Sequence, residues 1–308
     1  MIDSGISKRQ NEDKNIDLLA AQRQLYFEAK RMTFYQFVLS VLIPVTLPVL
    51  KKNCSDDISR LSFISVFAIL ILVINNFYFE KQVKIQRDKA AKIQELFDTD
   101  VLEISWNSQL CGSKEVLHNG LKIKAEKYKK RNKTVDNLSN WYPLEYSNVA
   151  ISAARIMCQK VNVSWENEVR TVYKYFLIIV LSTSSIFIIL YSIIENNSFP
   201  DTLISIIIPL FPIGYYIFRR YCENNDTIIS SAKLHGRLEV VWEQVMKSDS
   251  TDADLAVSSR KLQDSIFNYR SNAIMIWDWI YYFKREEQES DMNEVAKCVV
   301  EEFNKVKF

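Results

Sequence analysis

Four apolar stretches, arranged as two pairs around a long polar segment, constrain this chain more than any other feature. The first pair is Phe34–Leu50 with Leu61–Phe79, joined by Lys51–Arg60. The second is Tyr175–Ile194 with Leu203–Phe218, joined by Glu195–Thr202. Each stretch runs about 16–20 residues without an ionised side chain, and about 20 apolar residues cross a hydrocarbon core as a helix. Two membrane hairpins are the expectation. Average composition conceals it: with 25% charged and 48% hydrophobic residues, the whole chain looks like a soluble protein. Pro44 and Pro48 in the first stretch, and Pro209 and Pro212 in the fourth, are tolerated in spanning helices when neighbours satisfy the freed carbonyls. These four prolines mark expected kinks or a pore-lining backbone. Aromatic residues at the ends, among them Phe34, Tyr35, Phe77, Tyr78, Tyr175 and Tyr215, form an expected interfacial belt.

Lysine and arginine set the orientation. The Glu195–Thr202 loop has neither, and in Lys51–Arg60 three cations face two aspartates. Lys8, Arg9, Lys30 and Arg31 precede the first stretch, Lys81, Lys84, Arg87, Lys89 and Lys92 follow the second, and Arg219 and Arg220 follow the fourth. Positive charge stays on the cytoplasmic side, so both termini and the centre are expected there. The organisation is then 1–33 N-terminal helix, 34–79 hairpin, 80–174 central helical region, 175–218 hairpin, and 219–308 C-terminal helices. The polar, charged N-terminus does not read as a cleavable signal peptide.

With only five glycines, nearly every polar segment reads as helix: Asp17–Met32, Gln82–Phe97, Tyr146–Val172, Ser230–Lys247, Asp254–Lys284 and Met292–Phe308. Gly112–Lys133 reads as a basic helix or arm. The β-branched Asp98–Ser105 reads as a turn or a brief extended piece. The fold class is an all-α membrane protein, with a cytoplasmic bundle built from the N-terminal, central and C-terminal segments.

Candidate chemistry is sparse. The cysteines Cys54, Cys111, Cys158, Cys222 and Cys298 form no C-x-x-C, and with only His118 and His235 beside them no zinc site is expected. No Walker loop, nucleophile elbow or metalloprotease helix occurs, so neither an enzyme nor a cofactor is expected. Net charge +2 gives no field for a DNA or RNA polymer. The run Lys122, Lys124, Lys127, Lys129, Lys130, Arg131 and Lys133 suits anionic lipid head groups, a phosphate-bearing ligand, or simply solvent. Asp98, Asp100, Asp249, Asp252 and Asp254 read as helix caps and turn residues. Trp106, Trp141 and Trp165, with Arg155, Lys160 and Arg170 nearby, read either as packing anchors or as groups that stack bases and hold phosphates. Ser182–Ser185 either line a wet path, or hydrogen-bond across helices or to their own backbone. The absence of an ionisable residue in mid-span argues against a proton-coupled pump.

Four strings together carry a resemblance: RQNEDKNIDLLAAQRQLYFEAK at Arg9–Lys30, LFDTDVLEISWN at Leu96–Asn107, NWYPLEYSNVAISAARIMCQKVNVSWENEVRTVY at Asn140–Tyr173, and YRSNAIMIWDWIYYFKR at Tyr269–Arg285. In this order around four apolar stretches, they resemble the SMODS-associated four-transmembrane (S-4TM) effector family of bacterial CBASS anti-phage systems. The resemblance implies an effector at the bacterial inner (cytoplasmic) membrane. A partner nucleotidyltransferase makes a cyclic oligonucleotide, the effector responds as a homo-oligomer, and membrane integrity is lost in abortive infection. On this reading Arg155 and Lys160 are the expected phosphate contacts, with Trp141 or Trp165 stacking. The rivals are a constitutive channel or membrane scaffold without a nucleotide ligand, and a toxin held off by a partner protein.

Overall fold

The computed structural model describes residues 3–44, 66–67, 70–71, 73–132, 134–163, 167–194, 198–203, 207–247, 251–282 and 296–305. Among them the regular structure is helical: α1 (Ile6–Gln10), α2 (Asp13–Phe37), α3 (Glu80–Val101), α4 (Leu121–Arg131), α5 (Ile151–Val163), α6 (Asn167–Ile194), α7 (Ile208–Met246), α8 (Asp252–Asn272) and α9 (Asp278–Tyr282), with a last helical segment at 296–305. One run, Ile151–Ile194, is long and apolar enough to cross a membrane, and only 6% of its most apolar window is buried within the protein. A core helix of a soluble protein would be covered by its neighbours; this apolar window is nearly bare. Thr183, Ser184 and Ser185 turn their hydroxyls onto carbonyls of the preceding turn, at Ile179, Val180 and Leu181.

Bare apolar surface continues onto the other stretches. Phe67, Leu70, Val73 and Phe77 before α3 are exposed, as are Phe211 and Phe218 in α7. Pro48 and the joining segment 51–60 lie outside the described residues. Two π-helical turns sit here, Val38–Leu42 after α2 and Asn75–Phe79 before α3. The first has a local cause: Pro44, which is buried, lacks an N–H, and its ring crowds the carbonyl of Ser40, four residues back. The two turns are tied by the buried pair Asn75 Nδ2 to Ser40 Oγ, 2.6 Å. Helix α7 runs through Pro212, and Pro209 lies in its first turn.

The main core joins α1 to α5 with Trp242 and Val245 of α7, Leu255 of α8, and Ala296, Val299 and Phe303. One bundle is therefore assembled from the N-terminal, central and C-terminal segments, as expected. Small residues let α2 and α3 approach closely: Ala20, Ala21, Ala90 and Ala91 are fully buried, and Gln22 bonds Gln94 at 3.1 Å. A second core lies at the base of the apolar helices. Tyr173 and Leu177 of α6 and Ile213 and Ile217 of α7 close on Ile274, Ile276, Trp277 and Ile280.

Three expectations are corrected. Asp98–Ser105 is only in part the expected turn: α3 continues to Val101, fully buried in the main core where tertiary burial overrides β-branched propensity, and the turn falls at Leu102–Glu103. Gly112–Lys133 is not one helix: Lys114–His118 and α4 are split at Gly120, whose φ of 82° lies in the left-handed region that glycine enters without strain. Asp254–Lys284 is likewise interrupted, with α8 stopping at Asn272 and residues 274–277 forming no helix before α9. The N-cap of α8 is Thr251, and Asp254 completes a reciprocal capping box with it from the first turn; Asp98 and Asp100 are not caps or turn residues but lie within α3.

Several cations of the basic run Lys122–Lys133 are partnered by α2 while remaining exposed. Lys124 and Lys127 pair with the buried Glu28 of α2 at 2.5 and 2.9 Å, and Lys129 pairs with Asp17 at 2.5 Å. Arg131 bonds Gln24 and lies 3.6 Å over the Phe27 ring. Lys122 and Lys130 are exposed, and Lys133 lies outside the described residues. Burial alone would raise the pKa of Glu28, but Lys124, Gln24 and Lys127 outweigh it and hold the group at about 2 against an ordinary 4.5. A depressed carboxylate pKa stabilises the fold fully above the unfolded value and ceases to do so as pH falls through the folded one. Acid unfolding followed by circular dichroism should therefore begin between pH 4.5 and about 2 with a contribution from this site. In Glu28→Gln that contribution should vanish; an unchanged acid transition would contradict the assignment.

Candidate functional site

Among the described residues, Arg155, Lys160 and Trp141 each make contacts with separate partners. Arg155 of α5 caps the C-terminus of α3: its Nε donates to the Leu102 carbonyl at 2.6 Å and its Nη2 to that of Glu103 at 3.0 Å. Arg9 does the same from α1, through Nε to the Val101 carbonyl at 2.8 Å. Two guanidinium groups thus satisfy carbonyls that a helix end leaves orphaned. Lys160 pairs with Glu239 at 3.0 Å and lies over the Trp242 ring. Trp141 meets Phe97 edge-on, with Arg23 over its face. Trp106 donates to the Gly112 carbonyl at 2.8 Å. Trp165 lies outside the described residues.

What the chain does bring together lies where α2, α3 and α7 meet the apolar region. Glu80, the first residue of α3, accepts from Gln36 of α2 at 3.2 Å and pairs with Arg219 and Arg220 of α7 at 3.4 and 3.3 Å. Arg220 also donates to the Gln36 side-chain amide oxygen (Oε1) at 2.6 Å and pairs with Glu223 at 3.0 Å. Arg220 is 3% exposed, so its charge depends on these partners and not on water. Burial would raise the pKa of Glu80; Arg220 and Arg219 outweigh it and hold the group below the usual carboxylate range.

Beside this network a cavity of about 430 Å³ opens between α3, α7 and α8, and Glu80 and Glu223 line both. Arg87 forms its inner wall, Lys233 and Arg237 lie on the α7 side, and Asn268, Tyr269 and Asn272 lie on α8. Its end is closed by the non-helical stretch after α8. There the carbonyls of Ala273 and Ile274 accept from two buried arginines, Arg87 at 3.2 Å and Arg170 at 3.4 Å. Among the described residues no group of three histidine, cysteine, aspartate or glutamate side chains is placed to hold a metal ion. Arginine, lysine and amide groups around a concave space suit an anion held by charge-assisted hydrogen bonds.

Sequence reasoning missed this grouping because Arg87 lies far along the chain from Lys233 and Arg237. The one available signal was the i, i+4 spacing of Lys233 and Arg237, which puts both on one helix face.

A model of the SMODS-associating 4TM effector domain matches residues 4–299. The chain belongs to this family. A probable CBASS effector molecule of Bacillus cereus (strain VD146) is 25% identical over 299 residues, covering 94% of this chain and 96% of the relative. No solved structure matches the chain. Members of the SMODS-associating 4TM family are thus described by an effector role and not by a catalysed reaction.

Proposed function

We propose that this S-4TM protein is an anti-phage effector of a CBASS system. A cyclic oligonucleotide from a partner nucleotidyltransferase activates it, and it then permeabilises the inner membrane. The observation that carries this reading is the joining, in a chain of an effector family, of a bare apolar helix to a polar bundle made from three chain segments. The four apolar stretches cross as two hairpins, with both termini cytoplasmic. Exposed Lys122 and Lys130 lie against the inner leaflet, and the protein acts as a homo-oligomer. The prolines Pro44, Pro48, Pro209 and Pro212 favour irregular backbone at membrane depth, which persists where it lines water or is covered by protein. A ligand drives such a device only by binding one state better than another, and a shift from 1:99 to 99:1 takes about 5.5 kcal/mol of differential binding.

Full-length protein reconstituted in dye-loaded liposomes, challenged with a panel of cyclic di- and trinucleotides, tests the reading. Leakage with one nucleotide and not without it is the expected result. Leakage without any nucleotide identifies a constitutive channel, and silence with every nucleotide counts against the effector mechanism.

A further inference from the structure

Resting on that reading, we propose that the cavity between α3, α7 and α8 is the receiving site for a phosphodiester group. Arg87 is its buried contact, and Lys233 and Arg237 lie at its mouth. Four observations support the assignment. Arg87 is 8% exposed, and its Nε has no hydrogen-bond partner, although a buried guanidinium N–H is costly to leave unpaired. The cavity volume of about 430 Å³ falls within the range of about 300–1,000 Å³ usual for small-molecule sites. The charge balance favours an anion: Glu80 and Glu223 are already neutralised by Arg219 and Arg220, leaving Asp226 among the lining acids against three cations. Neither Lys233 nor Arg237 makes an ion pair among the described residues. Arg237 donates to Ser265 Oγ at 2.9 Å, a neutral partner that a phosphate oxygen can outcompete.

Position gives the site its consequence. Helix α7 carries the cavity wall at Glu223–Arg237 and continues without interruption into its apolar start at Ile208. Helix α3 carries Arg87 and, two turns earlier, Glu80. A phosphodiester held between Arg87 and the α7 cations draws the two helices together. It also adds negative charge beside the Glu80–Arg220–Glu223 network that holds their feet. Occupancy is thus coupled to the apolar helices through packed helices and ion pairs.

Phosphodiesters come from cyclic nucleotides in solution or from phospholipid head groups, and the test separates the two. Detergent-solubilised full-length protein is titrated with the cyclic nucleotide panel by calorimetry, and its retained phosphatidylglycerol is counted by native mass spectrometry. The variants are Arg87→Gln and the surface double variant Lys233→Glu/Arg237→Glu, whose exposed side chains spare the fold. Loss of a charge-assisted contact weakens binding about tenfold or more. Loss of nucleotide binding in the double variant supports the site with a soluble ligand. Loss of retained phosphatidylglycerol alone supports it with a lipid ligand, even if the liposome experiment has refuted nucleotide activation. Nucleotide and lipid binding both unchanged in the double variant, or absent from the unsubstituted protein, overturns the proposal.

Discussion

Asp98→Ala is expected to destabilise the protein by about 3–5 kcal/mol, the cost of leaving a buried charge without its partner. Asp98 is fully buried in α3. One carboxylate oxygen accepts from Arg270 at 2.5 Å and Gln263 at 3.0 Å, and the other from the Tyr142 hydroxyl at 2.6 Å. The side chain of Arg270 is 10% exposed, so water cannot replace the lost carboxylate. Four chain segments meet at this point, because Gln263 also bonds Gln159 of α5 and Glu95 of α3. Asp98→Asn should cost less, since an amide oxygen still accepts while the countercharge is gone. The double variant Asp98→Ala/Arg270→Met should lose less than the sum of its single substitutions, because it removes both charges together. Chemical denaturation in detergent measures all of these; a loss below about 1 kcal/mol for Asp98→Ala would refute the arrangement. Glu95 beside it behaves oppositely to Glu28. Burial, then the Asp98 charge, push its pKa up against the opposing pull of Arg260. Its ionised form therefore costs stability at neutral pH, and protonation on acidification relieves that cost.

Arg220→Met should lower stability by about 3 kcal/mol, because it leaves Glu80 and Glu223 facing one another with Arg219 as the remaining partner. The acid response gives the sharper readout. The folded pKa of Glu80 lies below the unfolded value, so its contribution is present above that value and is lost as pH falls through the folded one. As pH falls below the ordinary carboxylate value of 4.5, the unsubstituted protein should lose stability in part through Glu80, and Arg220→Met should lose less. Equal losses in both proteins would show that Arg220 does not hold the Glu80 charge. The substitution keeps an apolar stem in place of the guanidinium-bearing side chain, and the difference in acid response reports the lost charge.

Much of the architecture was legible from local pattern. The bareness of Tyr175–Ile194, the helical character of the polar segments and a bundle built from three pieces of chain all follow from runs of like residues and scarce glycine. The hydroxyls of the third stretch were readable too, since their acceptors lie one turn away. The failures have a common cause. Thr99 and Val101 look like turn or strand residues until the main core draws them into α3. The cations of α4 are solvated as their spacing suggests, but which acids they meet, Glu28 and Asp17 on another helix, is not written in that spacing. Arg155 looks like a phosphate ligand until the end of α3 offers it carbonyls.

The sequence by itself determined the apolar stretches, the helix-rich class and the family, because hydropathy and short strings are properties of contiguous residues. Tertiary structure alone decided which charges are partnered. Asp98 meets Arg270 across 172 residues, and Glu80 meets Arg220 across 140. A buried ion is set by whatever long-range packing brings within about 4 Å of it, and no local pattern in a single chain encodes that distance. The same packing left the buried Arg87 Nε unpaired, in a residue that lines the cavity near the base of the apolar stretches.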